Sequence, residues 1–238
     1  MTKQERAART RGDLIRSAAI IFKQHGFAST TLSDICRHAG VSSGALHFHF
    51  DNKSAVAQAI ELSAVHALRR TTLAAQRDTK NALQAIADVS HALARLLLQD
   101  DVVRAGYQLN CEIGRHTEVN LSDEWYRCVQ RLLDRAGREG LLAPGIAQRA
   151  VVTTIVAATT GLERLSRLNE EWLSRYTLTS FWQLMLPRLV TPEALGDLAA
   201  AGTPSLDTLA PAAPLVPSGV VPPSPGPPGP GVRDPSPR

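Results

Sequence analysis

Twenty residues, "TLSDICRHAGVSSGALHFHF" (31–50), constrain this chain more than any other stretch. Thr31-Leu32-Ser33-Asp34 has the form of a capping box, in which the threonine hydroxyl accepts from the Asp34 amide and the carboxylate reaches back. Ile35 and Ala39 follow at helical spacing, Gly40 stops the helix, and Ser42 or Ser43 offers a fresh N-cap. The end of the run permits three readings. Alternation of His47, Phe48, His49 and Phe50 suits a strand. His47-x-His49 suits half a metal site. A second short helix leaves His47 and Phe48 outward, with Leu46 and Phe50 as anchors. Gly44-Ala45-Leu46 gives a strand neither turn chemistry nor a partner. Residues two apart lie on different helix faces, and neither Cys36 nor His38 repairs that geometry for zinc. What remains is two short helices around a glycine turn, a helix-turn-helix.

Helical spacing extends on both sides. Ile15, Ala18, Ala19 and Phe22 mark the buried face of a first helix that stops at Gly26. Asp51 or Asn52 caps a helix from 53 to about 76, and further amphipathic segments cover 81–99, 102–111, 123–138, 146–168 and 172–189. No segment reads as a strand, so the expected fold is all-α. Phe181, Trp182, Met185 and Leu189 leave a large apolar surface on the last of these helices. Twelve of the 15 prolines lie beyond Thr203. Proline supplies no amide donor and glycine resists ordering, so this end is expected to be a disordered tail. The units expected are a three-helix DNA-binding domain over 1–53, a helical domain over 54–202 and the tail over 203–238.

Residues 1–53 carry eight Lys/Arg against four acids, while the other 185 residues carry 18 of each. The whole excess of +4 therefore sits in the first quarter of the chain, the asymmetry expected of a small module that touches a polyanion. A solvated basic face explains the charge alone equally well. No stretch approaches the ~18 apolar residues that span a bilayer. The start, "MTKQERAARTRGD", lacks an apolar h-region. Cys36, Cys111 and Cys128 are scattered and odd in number, so they read as reduced thiols, and the expected location is cytoplasmic. Neither a metal nor a cofactor is expected.

The run "TRGDLIRSAAIIFKQHGFASTTLSDICRHAGVSSGALHFHFDNK" (10–53) resembles the TetR family of one-component bacterial repressors. The "GALxFHF" form, with "RAG" at Arg104 to Gly106 and "EW" at Glu124-Trp125, is similar to the γ-butyrolactone receptor branch of antibiotic-producing soil bacteria. The resemblance implies a homodimer on pseudo-palindromic double-stranded operator DNA, released by a small hydrophobic effector. It implies that the helical domain holds the ligand and the dimer contact, the latter formed by its last two long helices. It places Thr31, Ser42, Ser43, Gly44, Ala45, His47 and Phe48 toward DNA and Lys53 on a phosphate. Lys3, Arg6 and Arg9 are expected to form an arm along the backbone or minor groove.

The recognition helix carries no Arg, Lys, Asn or Gln for bidentate base contacts, so phosphate positioning and DNA shape are expected to carry specificity. Trp125 matches a tryptophan that caps the ligand, with plain core packing as its alternative, and Thr159 and Thr160 are expected to face the same cavity. Leu162 and Ala64 replace polar groups found in the receptors. Together with a pI of 9.2, they favour a pseudo-receptor that senses an antibiotic or intermediate over a true butyrolactone receptor. Two other classes compete. An enzyme would use Asp123, Glu124 and His116, which nothing places as an acid–base pair. A DNA-binding architectural protein would have no ligand site.

Overall fold

Helix boundaries follow the caps written in the sequence. The computed structural model describes residues 2–77, 79–111, 120–204 and 206. Its first three helices are α1 (Lys3–His25), α2 (Leu32–Ala39) and α3 (Ser43–His49). Thr31 and Asp34 form the expected box, with Thr31 Oγ1 accepting from the Asp34 amide at 3.2 Å and the Asp34 carboxylate accepting from the Thr31 amide at 3.0 Å. Gly40 closes α2 at φ 67°, a left-handed conformation that favours glycine. Ser42 caps α3 by accepting from the Ala45 amide, and Asn52 starts α4 (Lys53–Gln76). The helices α5 (Ala82–Gln99), α6 (Asp101–Asn110), α7 (Leu121–Arg138), α8 (Gln148–Ser166), α9 (Arg175–Leu189) and α10 (Pro192–Leu195) complete the order.

Two expectations are corrected here. Lys3, Arg6 and Arg9 form no arm: a capping box between Thr2 and Glu5 starts α1 at Lys3, so all three lie on its first turns. The segment 172–189 is not one helix. Asn169 caps a 3-10 turn over Glu170–Leu173, and Ser174 restarts the chain as α9 by accepting from the Thr177 amide. Among the described residues there is no strand, only an isolated antiparallel bridge between Leu142 and Val190. None of their helices is long and apolar enough to cross a membrane. His116 and the chain from 207 onward lie outside the described residues.

The core under the helix-turn-helix takes Leu14, Phe22, Ile35, Leu46 and Phe50 from the first three helices. It continues past residue 53 into Val56 and Ile60 of α4 and Val102, Ala105 and Leu109 of α6. A buried side chain of this size contributes about 1.5–3 kcal/mol, so α6 is part of what holds the DNA-facing module. Lys23 Nζ binds Asp101 at 2.7 Å across the same contact. Helices α4 and α6 cross at backbone distance: a Cβ on Gly106 would stand 2.5 Å from the Ala64 Cβ and 3.1 Å from the Ile60 carbonyl oxygen.

A second core joins α5, α7, α8 and α9, and here a further expectation is overturned. Trp182 is completely buried, with Nε1 donating to Ser90 Oγ at 2.7 Å. Leu189 is buried too, and Phe181 and Met185 pack against this core. The apolar face of α9 therefore meets its own chain rather than standing open. The exposed large apolar residues nearby are Leu165, Leu168, Trp172, Tyr176 and Leu184.

The C-terminal end of the described chain folds back as a strap on α5. Gln84, Asp88 and His91 share one face of α5 and hold it. Gln84 Oε1 accepts from the Ala199 amide at 2.7 Å, the Asp88 carboxylate accepts from the Thr203 amide and hydroxyl at 2.9 and 2.7 Å, and His91 Nε2 meets the Ala200 carbonyl at 2.9 Å. Arg95, one turn further on, donates to the Leu206 carbonyl, and Leu206 itself is buried in the second core. Asp88 is fully buried, and three hydrogen bonds, from the Gln84 side-chain amide and from the Thr203 amide and hydroxyl, satisfy a carboxylate whose burial would otherwise be costly.

Candidate functional site

Helix α3 presents one polar and one apolar feature to solvent. Leu46 is fully buried and Phe50 nearly so, with the Arg11 guanidinium 5.1 Å from the Phe50 ring centre. These anchors turn Ser42, Ser43, Gly44 and His47 outward, with Ala45 half-buried. Phe48 is 73% exposed, edge-on to His49 at 5.0 Å. Burial, with the Arg11 charge behind it, holds His49 below the usual imidazole range. An exposed phenyl beside small residues can press against base methyls and sugars. Thr31 stands exposed at the start of α2, but its hydroxyl is engaged twice by Asp34, once as acceptor and once as donor at 2.7 Å. The Thr31 hydroxyl and amide, both donating to it, hold the Asp34 carboxyl below its ordinary range. Arg6 and Arg9 lie exposed on α1.

Lys53 has another task than the expected phosphate contact. Its ammonium donates to the carbonyls of Phe27 (2.7 Å), Ala28 (3.1 Å) and Thr30 (2.8 Å) and lies 4.6 Å from the Phe27 ring centre. All three N–H groups are used to hold the α1–α2 loop, which leaves no donor for DNA. Replacing Lys53 by methionine is expected to lower folding stability by about 1–3 kcal/mol while leaving the salt dependence of DNA binding unchanged. Urea denaturation and a salt titration of binding check the pair. A flatter salt slope with intact stability would return Lys53 to the phosphates.

Behind this module, α4, α5, α6, α7 and α8 enclose a cavity of about 570 Å³. Its apolar wall comes from Val65 and Leu68 of α4, Leu93, Ala94 and Leu97 of α5, Leu121 of α7, and Leu173 and Leu178 beyond α8. Trp125, Thr159 and Thr160 are brought together at it. Trp125 Nε1 donates to Thr159 Oγ1 at 2.9 Å, and that hydroxyl donates on to the Ile155 carbonyl at 2.7 Å. The tryptophan's one donor is therefore spent, and the indole offers a ligand its face. Thr160 lies beside the Tyr107 hydroxyl, whose phenol burial pushes up.

Ala64 and Leu162 do not line the cavity. The Ala64 methyl is buried against Gly106 in the α4–α6 crossing, and Leu162 packs on the cluster around Leu97 and Tyr107. Their apolar character thus says nothing about ligand polarity.

Sequence reasoning did not place Arg69, Tyr107, Cys128 or Arg131 at the cavity, and it considered Glu124 as part of the receptor-like "EW" pair and as a catalytic acid but not as a cavity residue. Arg69 Nη2 and Nε hold the Glu124 carboxylate at 2.7 and 3.2 Å, which pulls the carboxyl down and the guanidinium up. Asp123 is occupied by Arg127 at 2.9 Å. Burial pushes the Cys128 thiol up to about 11, so it faces the cavity as a neutral group. The spacing Glu124, Cys128, Arg131 on one face of α7 was the available signal.

The family model of bacterial regulatory proteins, tetR family, matches residues 14–60. The chain is similar to the A-factor receptor protein of Streptomyces griseus, with 28% identity over 203 residues, 85% of this chain and 71% of that one. It is similar in structure to a γ-butyrolactone receptor (ArpA-like protein), with 29% identity, TM-score 0.73, and coverage of 85% of this chain and 98% of that one. It is also similar to full-length TylP, a TetR regulator from Streptomyces fradiae, with 30% identity, TM-score 0.64, and coverage of 82% and 93%.

Proposed function

The chain belongs to the TetR family, and from that membership we propose a homodimeric repressor of pseudo-γ-butyrolactone receptor type that an extended apolar metabolite releases from its operator. That it is a DNA-binding transcriptional repressor related to the γ-butyrolactone receptors, and not an enzyme, follows from the relatives. The regulated genes would be those of antibiotic biosynthesis, and the signal an antibiotic or an intermediate.

The observation that carries this reading is the cavity and the state of its polar groups. About 570 Å³ lies within the range of small-molecule sites. Trp125 is bonded to Thr159, Arg69 to Glu124, and Glu163 to Arg167 at 3.0 Å through both guanidinium nitrogens. A compact polar lactone would find these pairs already made, whereas a larger apolar body gains by filling the space. At the other end, Ser43, Gly44, Ala45, His47 and Phe48 would enter the major groove, with Ser42, Thr31 and the α1 arginines Arg6 and Arg9 near phosphates. Lys53 keeps its loop-holding task. Two copies paired through the exposed apolar residues of α8 and α9 would set two recognition helices about 34–36 Å apart.

The second reading, a true butyrolactone receptor, is favoured by the likeness to the A-factor receptor protein. A gel-shift titration separates the two. Release by an extended apolar metabolite at concentrations where a simple γ-butyrolactone leaves the complex intact is the expected result. Release by nanomolar butyrolactone would overturn the pseudo-receptor reading.

A further inference from the structure

Three arginines stand around one carboxylate where the cavity opens. Arg69 comes from α4, while Glu124, Arg127 and Arg131 follow one another at i, i+3 and i+7 on α7. Arg69 and Arg127 are 56% and 61% exposed in their side chains, which marks this as the solvent end of the cavity. Arg69 grips Glu124, and Arg127 takes Asp123, which does not line the cavity. Arg131 makes no ion pair among the described residues. All three guanidiniums bear on the Glu124 carboxyl and help to hold it below its ordinary range.

The inner end is different. Glu163 is buried, and its charge is matched by Arg167 through both carboxylate oxygens. The remaining inner wall is largely carbon, interrupted by the Trp125–Thr159 pair, by the Tyr107, Thr160 and Ser90 hydroxyls and by the neutral Cys128 thiol. The cavity thus has an apolar interior and a rim with an unmatched cation.

Resting on the proposal that this cavity holds the effector, we infer that the effector is an apolar acid. Its body would lie on Trp125 among the leucines, and one anionic group, a carboxylate or its equivalent, would sit at the mouth against Arg131 and the Arg69–Glu124 pair. A cationic ligand would meet three guanidiniums there, and a neutral one would leave the excess positive charge of the rim unmatched. Because the rim is wet, each arginine contributes modestly, and the contribution weakens with salt.

Two fluorescent probes isolate the charge. 8-Anilinonaphthalene-1-sulfonate carries an anionic group on an apolar double-ring body, and N-phenyl-1-naphthylamine is the same body without it. Titrated into the full chain, the Arg131→Gln variant is expected to bind the sulfonate about three- to five-fold more weakly and the neutral amine unchanged. Salt should weaken only the sulfonate. Trp125→Ala should weaken both probes. Equal effects of Arg131→Gln on the two probes, or none on either, would overturn the acid while leaving the cavity reading intact. Unchanged binding of both probes to Trp125→Ala would overturn the cavity reading, and the inference with it.

Discussion

Replacing Trp182 by alanine is expected to remove about 3–5 kcal/mol of folding stability, a large share of the ~5–15 kcal/mol that holds a typical domain together. The indole is fully buried, its ring centre lies 5.1 Å from that of Phe181 in an edge-to-face pair, and its Nε1 donates to Ser90. Truncation leaves a cavity at the junction of α5 and α9 and strips the buried serine of its donor. Urea denaturation measures the loss. Its dependence on protein concentration decides where the residue sits, because a contact between copies would weaken on dilution by mass action. A loss that is equal at low and high protein concentration places Trp182 inside one chain. A loss that vanishes at low concentration would return it to a dimer face.

The second large effect is on the switch. Trp125→Ala should leave operator affinity nearly intact, since Trp125 lies on α7, away from the exposed residues of α3. It should raise the effector concentration that releases DNA about 30- to 150-fold, the equivalent of about 2–3 kcal/mol for a lost aromatic stack and its buried area. A ligand shifts the equilibrium only by its difference in affinity between the two conformations, so a loss confined to binding appears in full as a shift of the release curve. The same gel-shift titration used for the effector reads it. Release at unchanged effector concentration would remove Trp125 from the site. Thr159→Val gives a finer comparison, because the valine keeps the volume but frees the indole donor.

The parts of this molecule that were legible in its sequence are those decided by neighbours a few residues away. Thr31 with Asp34, Gly40, Ser42 and Asn52 each act within one helical turn, and each cap stands where its chemistry put it. The apolar face of α9 was visible as well, but its partner was not. Periodicity reports that Trp182 must be covered, and Ser90, 92 positions earlier, does the covering. Ala64 illustrates another limit. A position matched to a ligand-contacting residue of relatives carries no information about the rotation of its helix, and here the methyl group faces Gly106. Lys53 shows a third. Its charge and its place at a helix start suit a phosphate, yet the loop between α1 and α2 brings three carbonyls within reach. The Arg69–Glu124 pair spans two helices and 55 positions, and neither residue alone announces it.

The strap on α5 has a consequence for the order of folding. Its polar contacts join residues 109 to 115 positions apart, from Gln84, Asp88 and His91 to Ala199, Thr203 and Ala200. Neighbouring helices of the N-terminal core, α1 with α2 and α2 with α3, close far shorter loops, and loop-closure entropy must be met before distant contacts return anything. The strap is therefore expected to dock late, after the helices that it rests on, with the Asp88 carboxylate open to water until then. Contacts made that late act on escape from the folded state and not on arrival. On that order, the strap would govern how long the folded protein survives, while its folding speed is set elsewhere.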